Sequence, residues 1–189
     1  MKYQDPAVKV TNPDEALQLL KDGNARFVAN GLVPTDYPAA LAKTGTQQSP
    51  FASVLTCADS RCTPEIYFDQ GIGNIFVVRN AGNFADREAI GSFQFAANVL
   101  GSQIIVVVGH TQCGAVMHAH GGTVTNLPEL DGILGDIAPI VKGASDWEKE
   151  GVGMNVKAQV EALKKAPGIT VPVYGCEYDV ATGKVTWCC

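Results

Sequence analysis

The chain has 189 residues, close to the size of one globular domain and long enough to bury a sizeable core. Apolar residues make up 46% of it and charged residues 17%, which excludes a disordered chain; 14 Lys and Arg against 19 Asp and Glu leave no basic stripe and exclude nucleic acid as a partner. No apolar run is long enough to span a bilayer, and the opening MKYQDPAVKV lacks the apolar core of a signal peptide. The expectation is a soluble, cytoplasmic protein without a membrane partner, or one of an organelle stroma or matrix if a presequence was removed.

Asn12-Pro13-Asp14-Glu15 offers an N-cap, a proline at the first helical position and acids in the first turn, which predicts a helix over 13–29 closed by Gly31. The next twenty residues carry Pro34, Pro38 and Pro50 without a sustained period and read as an irregular crossing segment. Together these make an N-terminal helical arm over 1–50. The remainder, 51–189, reads as a sheet core within the same single domain.

Three strand-like runs follow: ASVLT, NIFVVR at 74–79 and IIVVVG at 104–109. Asp86 can cap a helix between the second and third, with a stripe of Ile90, Phe93, Ala97 and Leu100, closed by Gly101. Continuously apolar, β-branched strands separated by a helix are the mark of a parallel sheet covered on both faces. The glycine- and charge-rich stretch 143–153 reads as a surface loop. Val152, Val156, Val160 and Leu163 then predict a helix over 152–166, stopped by Ala166-Pro167-Gly168. VPVYGCEYDV and KVTW flank Ala181-Thr182-Gly183 as a closing hairpin at the sheet edge. The fold expected is α/β, with a mostly parallel central sheet flanked by helices.

Six cysteines in a chain of this size, with no export signal, point to metal binding or catalysis before disulfides. Cys62 and Cys176 read as buried small apolar residues, and the vicinal pair Cys188 and Cys189 as a frayed end liable to oxidation. Cys57 and Cys113 have polar neighbours. In CADSR, Cys57 leaves the end of the first strand; in HTQC, His110 leaves the end of the third, and ligands of open parallel sheets bind beyond those ends. Cys113 lies three residues after His110, on the same side of a turn entering a helix. Two thiolates and one imidazole suit one Zn2+ per chain and leave a fourth tetrahedral position open for water. Asp59 is the other available ligand, and the Arg61 guanidinium would hold its carboxylate away from the metal through a bidentate fork. An ion pair that merely stabilises the loop would look the same, so the pair alone does not decide.

CADSR with a downstream HTQCG resembles the paired metal signature of the β-class carbonic anhydrases, and the likeness extends through QSPFASVLTC and DQGIGNIFVVRNAGN. The resemblance implies zinc on Cys57, His110 and Cys113, an Asp59–Arg61 dyad governing the fourth position, and reversible hydration of carbon dioxide to bicarbonate by zinc-held hydroxide. It implies a pocket lined by Gln48 and Phe76, with Gln48 reaching across a subunit interface, and a backbone amide at Gly114 that helps hold bicarbonate. A homodimer or larger assembly follows from the same likeness. Phe95 stands where the family often has a pocket tyrosine, and Ala81 where a valine or isoleucine narrows the pocket. Val54 occupies a position that is tryptophan in the bicarbonate-inhibited subgroup, which with Gln48 favours the plant-like subgroup with an open zinc.

Read without the family, Gln48 is a surface residue, Phe76 an ordinary core residue, and Phe95, off the stripe of its helix, a side chain buried against a second surface. His118 and His120 read as solvated. Three rivals stand beside carbon dioxide hydration: hydrolysis of carbonyl sulfide or carbon disulfide on the same scaffold, a non-catalytic protein with a closed zinc, and a thiol-disulfide or sulfur-transfer enzyme built on Cys57 or Cys113.

Overall fold

A computed structural model describes residues 9–189; the first eight residues of the expected arm, and most of the MKYQDPAVKV segment, lie outside the described residues. The first helix, α1 (Pro13–Val28), begins where Asn12 Oδ1 accepts the Asp14 N–H at 2.8 Å, the cap the sequence predicts. A second helix, α2 (Tyr37–Thr44), then corrects the expected irregular crossing. Asp36 caps it by accepting from the Ala39 N–H, and Pro38, read as a breaker, sits in the first turn where its missing N–H costs nothing.

The core is a five-stranded sheet of β1 (Ala52–Cys57), β2 (Ile75–Asn80), β3 (Ile104–His110), β4 (Val173–Tyr178) and β5 (Val185–Trp187), in the order β2-β1-β3-β4-β5. The first four strands are mutually parallel, and β5 turns back antiparallel on β4 as the expected edge hairpin. Every residue of β1 and β3 is buried, which is why their runs are apolar without alternation. β2 lies at the other edge and is only half-buried.

A single-turn helix, α3 (Pro64–Tyr67), follows β1; α4 (Arg87–Asn98) follows β2, capped by Asp86 as predicted. The buried face of α4 is Ala89, Phe93 and Ala96, so the expected stripe is one residue out of phase on either side of Phe93. Phe95, expected to be buried, is 47% exposed on the outer face of this helix.

After β3 come α5 (Gly114–His120) and α6 (Pro128–Val141), the latter holding Pro139 within its last turn. The stretch expected as a surface loop is instead a π-helical turn, Trp147–Gly151, running straight into α7 (Val152–Lys165). Asp146 accepts the N–H groups of both Glu148 and Lys149, and Gly151 is buried against Val116, Val141 and Ala144, so the glycine marks close packing. Val152, Val156, Val160 and Leu163 are all buried, as their spacing predicts. A side chain at Gly109 would meet Val156 within 2.6 Å, so glycine lets α7 lie directly on β3 one residue before His110.

Among the described residues no helix is long and apolar enough to cross a membrane. Cys62 and Cys176 are fully buried, in line with their reading as small core residues.

Candidate metal centre

Cys57 is the last residue of β1 and His110 the last of β3, so two adjacent parallel strands deliver them to the same carboxyl edge of the sheet. Gln112 makes the turn between His110 and Cys113 with a positive φ of 57°, a left-handed conformation uncommon outside glycine. Its side chain donates to Glu148 Oε1 at 2.6 Å and its carbonyl accepts from Arg61, so neighbours on both sides hold the strained turn. The turn brings Cys113 back beside His110. The ligand atoms of Cys57, His110 and Cys113 lie within 4.8 Å of one another, and all three residues are buried.

His110 Nδ1 sits 2.8 Å from the carbonyl oxygen of Thr111. A carbonyl only accepts, so Nδ1 carries a proton and Nε2 is the ring atom left facing the two sulfurs. That Nε2 is buried with no hydrogen-bond partner among the described residues. Such a group is costly to leave unpaired, and a cation between the three residues satisfies it. Two sulfurs and one imidazole nitrogen are a donor set that zinc takes, so the residues fit the metal that the spacing predicts.

The protonation of the cluster points the same way. The Cys57 thiol is held well down, chiefly by a hydrogen bond from Cys113, against the opposing effect of burial and with further help from His110 and the Asp59 and Gly82 N–H groups. Cys113 is pushed far up by that same bond and by burial, so the two sulfurs share one proton. Burial works against charge on His110, but the adjoining Cys57 and Cys62 sulfurs outweigh it and push the ring up to about 10. A cation replaces these protons.

Asp59 is not part of the cluster. Arg61 donates from Nε to Oδ1 at 2.9 Å and from Nη2 to Oδ2 at 2.7 Å, the fork expected from CADSR, and the Arg61 backbone N–H adds a third bond to Oδ1. These contacts hold the Asp59 carboxyl well below the usual carboxylate range.

Arg79, which the sequence reading passes over, ties the ligand loop down from β2: its Nε donates to the Cys57 carbonyl at 3.2 Å and its Nη2 to the Asp59 carbonyl at 2.8 Å. A lone charge in the apolar run NIFVVRN is the signal that could have found it. Behind the loop, Gln159 accepts the Ala85 N–H and donates to Asn155, and Asn155 donates to the Gly82 carbonyl. That relay aims the Gly82 N–H at Cys57 Sγ, 3.4 Å away.

The remaining expected site residues are more dispersed. Phe76 is half-buried in β2 opposite Ser53, and Ala81 follows β2 directly. Gly114 opens α5 with free space where a side chain would be. Gln48 is exposed before β1 and makes no hydrogen bond among the described residues, and Phe95 lies out on α4. His118 and His120 bond to Thr123 and to the Ala144 carbonyl. A groove of about 490 Å³ between α2, α3 and the start of β2 is lined by none of the cluster residues.

An α/β sheet with a buried Cys2His set at its carboxyl edge defines a candidate metalloprotein, and three potential protein ligands are the number that a catalytic zinc site takes. Residues 52–185 match the family model described as carbonic anhydrase, and the chain belongs to that family. A carbonic anhydrase of Mycolicibacterium smegmatis is 36% identical over 195 residues, covering 93% of each chain. Carbonic anhydrase 2 of Mycobacterium tuberculosis is 47% identical over 110 residues, 56% of this chain and 52% of that one. In fold, a β-carbonic anhydrase of Aspergillus fumigatus superposes with a TM-score of 0.73 at 24% identity, covering 93% of this chain and 89% of the other. A structure from Sordaria macrospora, titled as one of two tetrameric β-carbonic anhydrases, gives 0.71 at 22% identity, with coverage of 92% and 95%. The protein is accordingly an enzyme of the lyase class.

Proposed function

We propose that this enzyme hydrates carbon dioxide reversibly to bicarbonate and a proton, with zinc held by Cys57, His110 and Cys113 and with Asp59 and Arg61 controlling the open position. The observation that carries the reading is the buried, unpartnered His110 Nε2 facing two thiols while Arg61 engages the nearby carboxylate. Zinc at this set would supply Lewis acidity, bringing the ionisation of a water molecule into the neutral range.

The chain's own residues do the positioning. A carboxylate offers about four lone-pair sites. On Asp59, Oδ1 already accepts two bonds and Oδ2 one, all from Arg61. The site left on Oδ2 is the acceptor for the nucleophile's hydrogen, and it turns the oxygen lone pair toward the substrate carbon. Arg79 and the Gly82 N–H fix the loop that carries Cys57 and Asp59. Phe76 and Ala81 supply the apolar wall that an uncharged substrate needs, with the Gly114 amide beside it for the bicarbonate product.

The working unit in this reading is a homodimer or larger. Gln48 stands exposed without a partner among the described residues, and the half-buried β2 edge leaves apolar surface for a second copy, which would bring its own Gln48 and Phe95 toward the pocket. A cytoplasmic location fits six cysteines that stand unpaired in the fold.

Stopped-flow carbon dioxide hydration on protein of known zinc content, from about pH 6.5 to 9, tests the reading. Rapid turnover that rises with pH supports it and favours the open-site subgroup. Zinc-loaded protein that is inert towards carbon dioxide would overturn it. Ala81 leaves space for a bulkier solute, so turnover of carbonyl sulfide or carbon disulfide in that same sample would move the assignment to those substrates.

A further inference from the structure

We propose that Cys188 and Cys189 form a second metal site, a surface dithiol that chelates a thiophilic d10 cation of the zinc, cadmium or copper(I) type, separate from the buried Cys57, His110 and Cys113. Their Sγ atoms stand 3.7 Å apart. Two sulfurs bound to one tetrahedral zinc at about 2.3 Å lie about 3.8 Å from each other. The pair is therefore at chelating separation, well beyond the roughly 2.05 Å of a disulfide.

Neighbouring residues of a regular strand point to opposite faces, so two adjacent thiols meet only where the strand has ended. β5 ends at Trp187, and the two cysteines curl back over one residue of β4. The Cys188 and Cys189 N–H groups both donate to the Gly175 carbonyl, at 3.0 and 3.4 Å, and the Gly175 N–H donates to the Cys189 carbonyl at 2.6 Å. This corrects the expectation of a frayed pair: three backbone bonds to one partner preorganise it. A side chain at 175 would come within 2.6 Å of Cys189 Sγ and 2.8 Å of Val156, so the glycine keeps open the space in which that sulfur sits between β4 and α7.

Both cysteines are nonetheless exposed, and an ion reaches them from solvent. Glu177, two residues along the same face of β4, is half-buried, its carboxylate forms no hydrogen bond among the described residues, and it lies near enough to act electrostatically on Cys188. Its negative charge favours a cation, against the smaller opposing effect of Lys157. Cys176 alternates to the opposite face, is fully buried in the core, and takes no part. Binding is a proton exchange without redox change: two S–H bonds break, two metal–sulfur bonds form, and two protons pass to solvent.

The test titrates Cd2+ into the full, zinc-loaded chain under reductant, reading bound cadmium per chain after dialysis and the thiolate-to-metal absorption in the near ultraviolet. The expected result is one more Cd2+ per chain in the native protein than in the Cys188→Ser/Cys189→Ser double variant, with carbon dioxide hydration equal in the two. Each single substitution should weaken binding at least about tenfold, because the second sulfur acts at high effective concentration once the first is bound. Equal cadmium content in native and double-variant chains would overturn the proposal, as would single variants of which only one changes affinity, the behaviour of an isolated thiol. The readout is a difference between chains identical at Cys57, His110 and Cys113, so it stands or falls independently of the buried centre.

Discussion

Arg61 grips Asp59 through one edge of its guanidinium, Nε to Oδ1 and Nη2 to Oδ2, and the same Nη2 reaches the carbonyl of Gln112 at 3.2 Å. One side chain thus fastens the loop bearing Cys57 to the loop bearing His110 and Cys113, while it disposes the carboxylate between them.

Replacing Arg61 by Ala removes both functions. In the proposed reading Asp59 is then free to turn onto the open metal position, and the two loops lose their bridge. We expect carbon dioxide hydration to fall by about 10–100-fold while zinc content stays near the native value. Stopped-flow rates with elemental analysis on one sample check this, and full activity in that variant would remove Asp59 from the mechanism.

Arg79→Met keeps a long apolar stem but leaves the Cys57 and Asp59 carbonyls without their donors. The ligand loop loosens while the strand remains. The expected outcome is zinc affinity lowered by about 10–100-fold, measured by competition with a coloured chelator, in a protein that still unfolds cooperatively. Unchanged affinity would show that Arg79 serves the edge strand alone.

Asp59 has a folded-state pKa below its unfolded value, held there first by the Arg61 side chain. An acid lowered in this way contributes stability above its unfolded pKa of about 3.9 and loses it as pH falls through the folded value. The pair's contribution is therefore constant from pH 8 down to about pH 5, and disappears only in stronger acid. Carbon-13 NMR of the Asp59 carboxyl should show no titration between about pH 5 and 9, and in Arg61→Ala its midpoint should move up toward 3.9. A native midpoint at or above 4 would contradict the pairing.

Chelation of the metal should destabilise the whole domain, because Cys57 and Cys113 lie on segments separated by β2 and α4. With free zinc at about 1,000 times its dissociation constant the ion contributes about 4 kcal/mol. For a chain of this length that corresponds to a fall in Tm of roughly 10 °C. Calorimetry with and without chelator measures it, and Cys113→Ser should unfold at the chelated temperature whether or not zinc is added.

What is readable in the sequence follows from how local the physics is. Asn12-Pro13 announces α1 because a cap acts within its own turn. The runs at β1 and β3 announce a parallel sheet because burial on both faces removes alternation. Cys57, His110 and Cys113 are legible together because strand ends are legible, and the rule for ligands beyond those ends joins them. Arg79 is harder, since its partners are main-chain carbonyls that carry no residue identity. Pro38 in α2 reads as a breaker until the cap around it is known. Gly151 looks like a loop residue and is a contact, and the order at Cys188 and Cys189 comes from Gly175, a residue whose only contribution is to be absent beyond its backbone.

β1 and β3 lie side by side at the centre of the sheet, yet β2 and α4 intervene between them along the chain. Their pairing is therefore a long-range event, and no shorter segment contains both Cys57 and His110. The proposed ligand set comes into being only when that central pair has zipped to its carboxyl ends, so tight metal capture would follow the slowest class of contact in the fold. Rapid-mixing experiments that time ion uptake during refolding would read the completion of the central pair as a clock, and a pre-added ion would speed refolding only if the unfolded chain already brings these strands together.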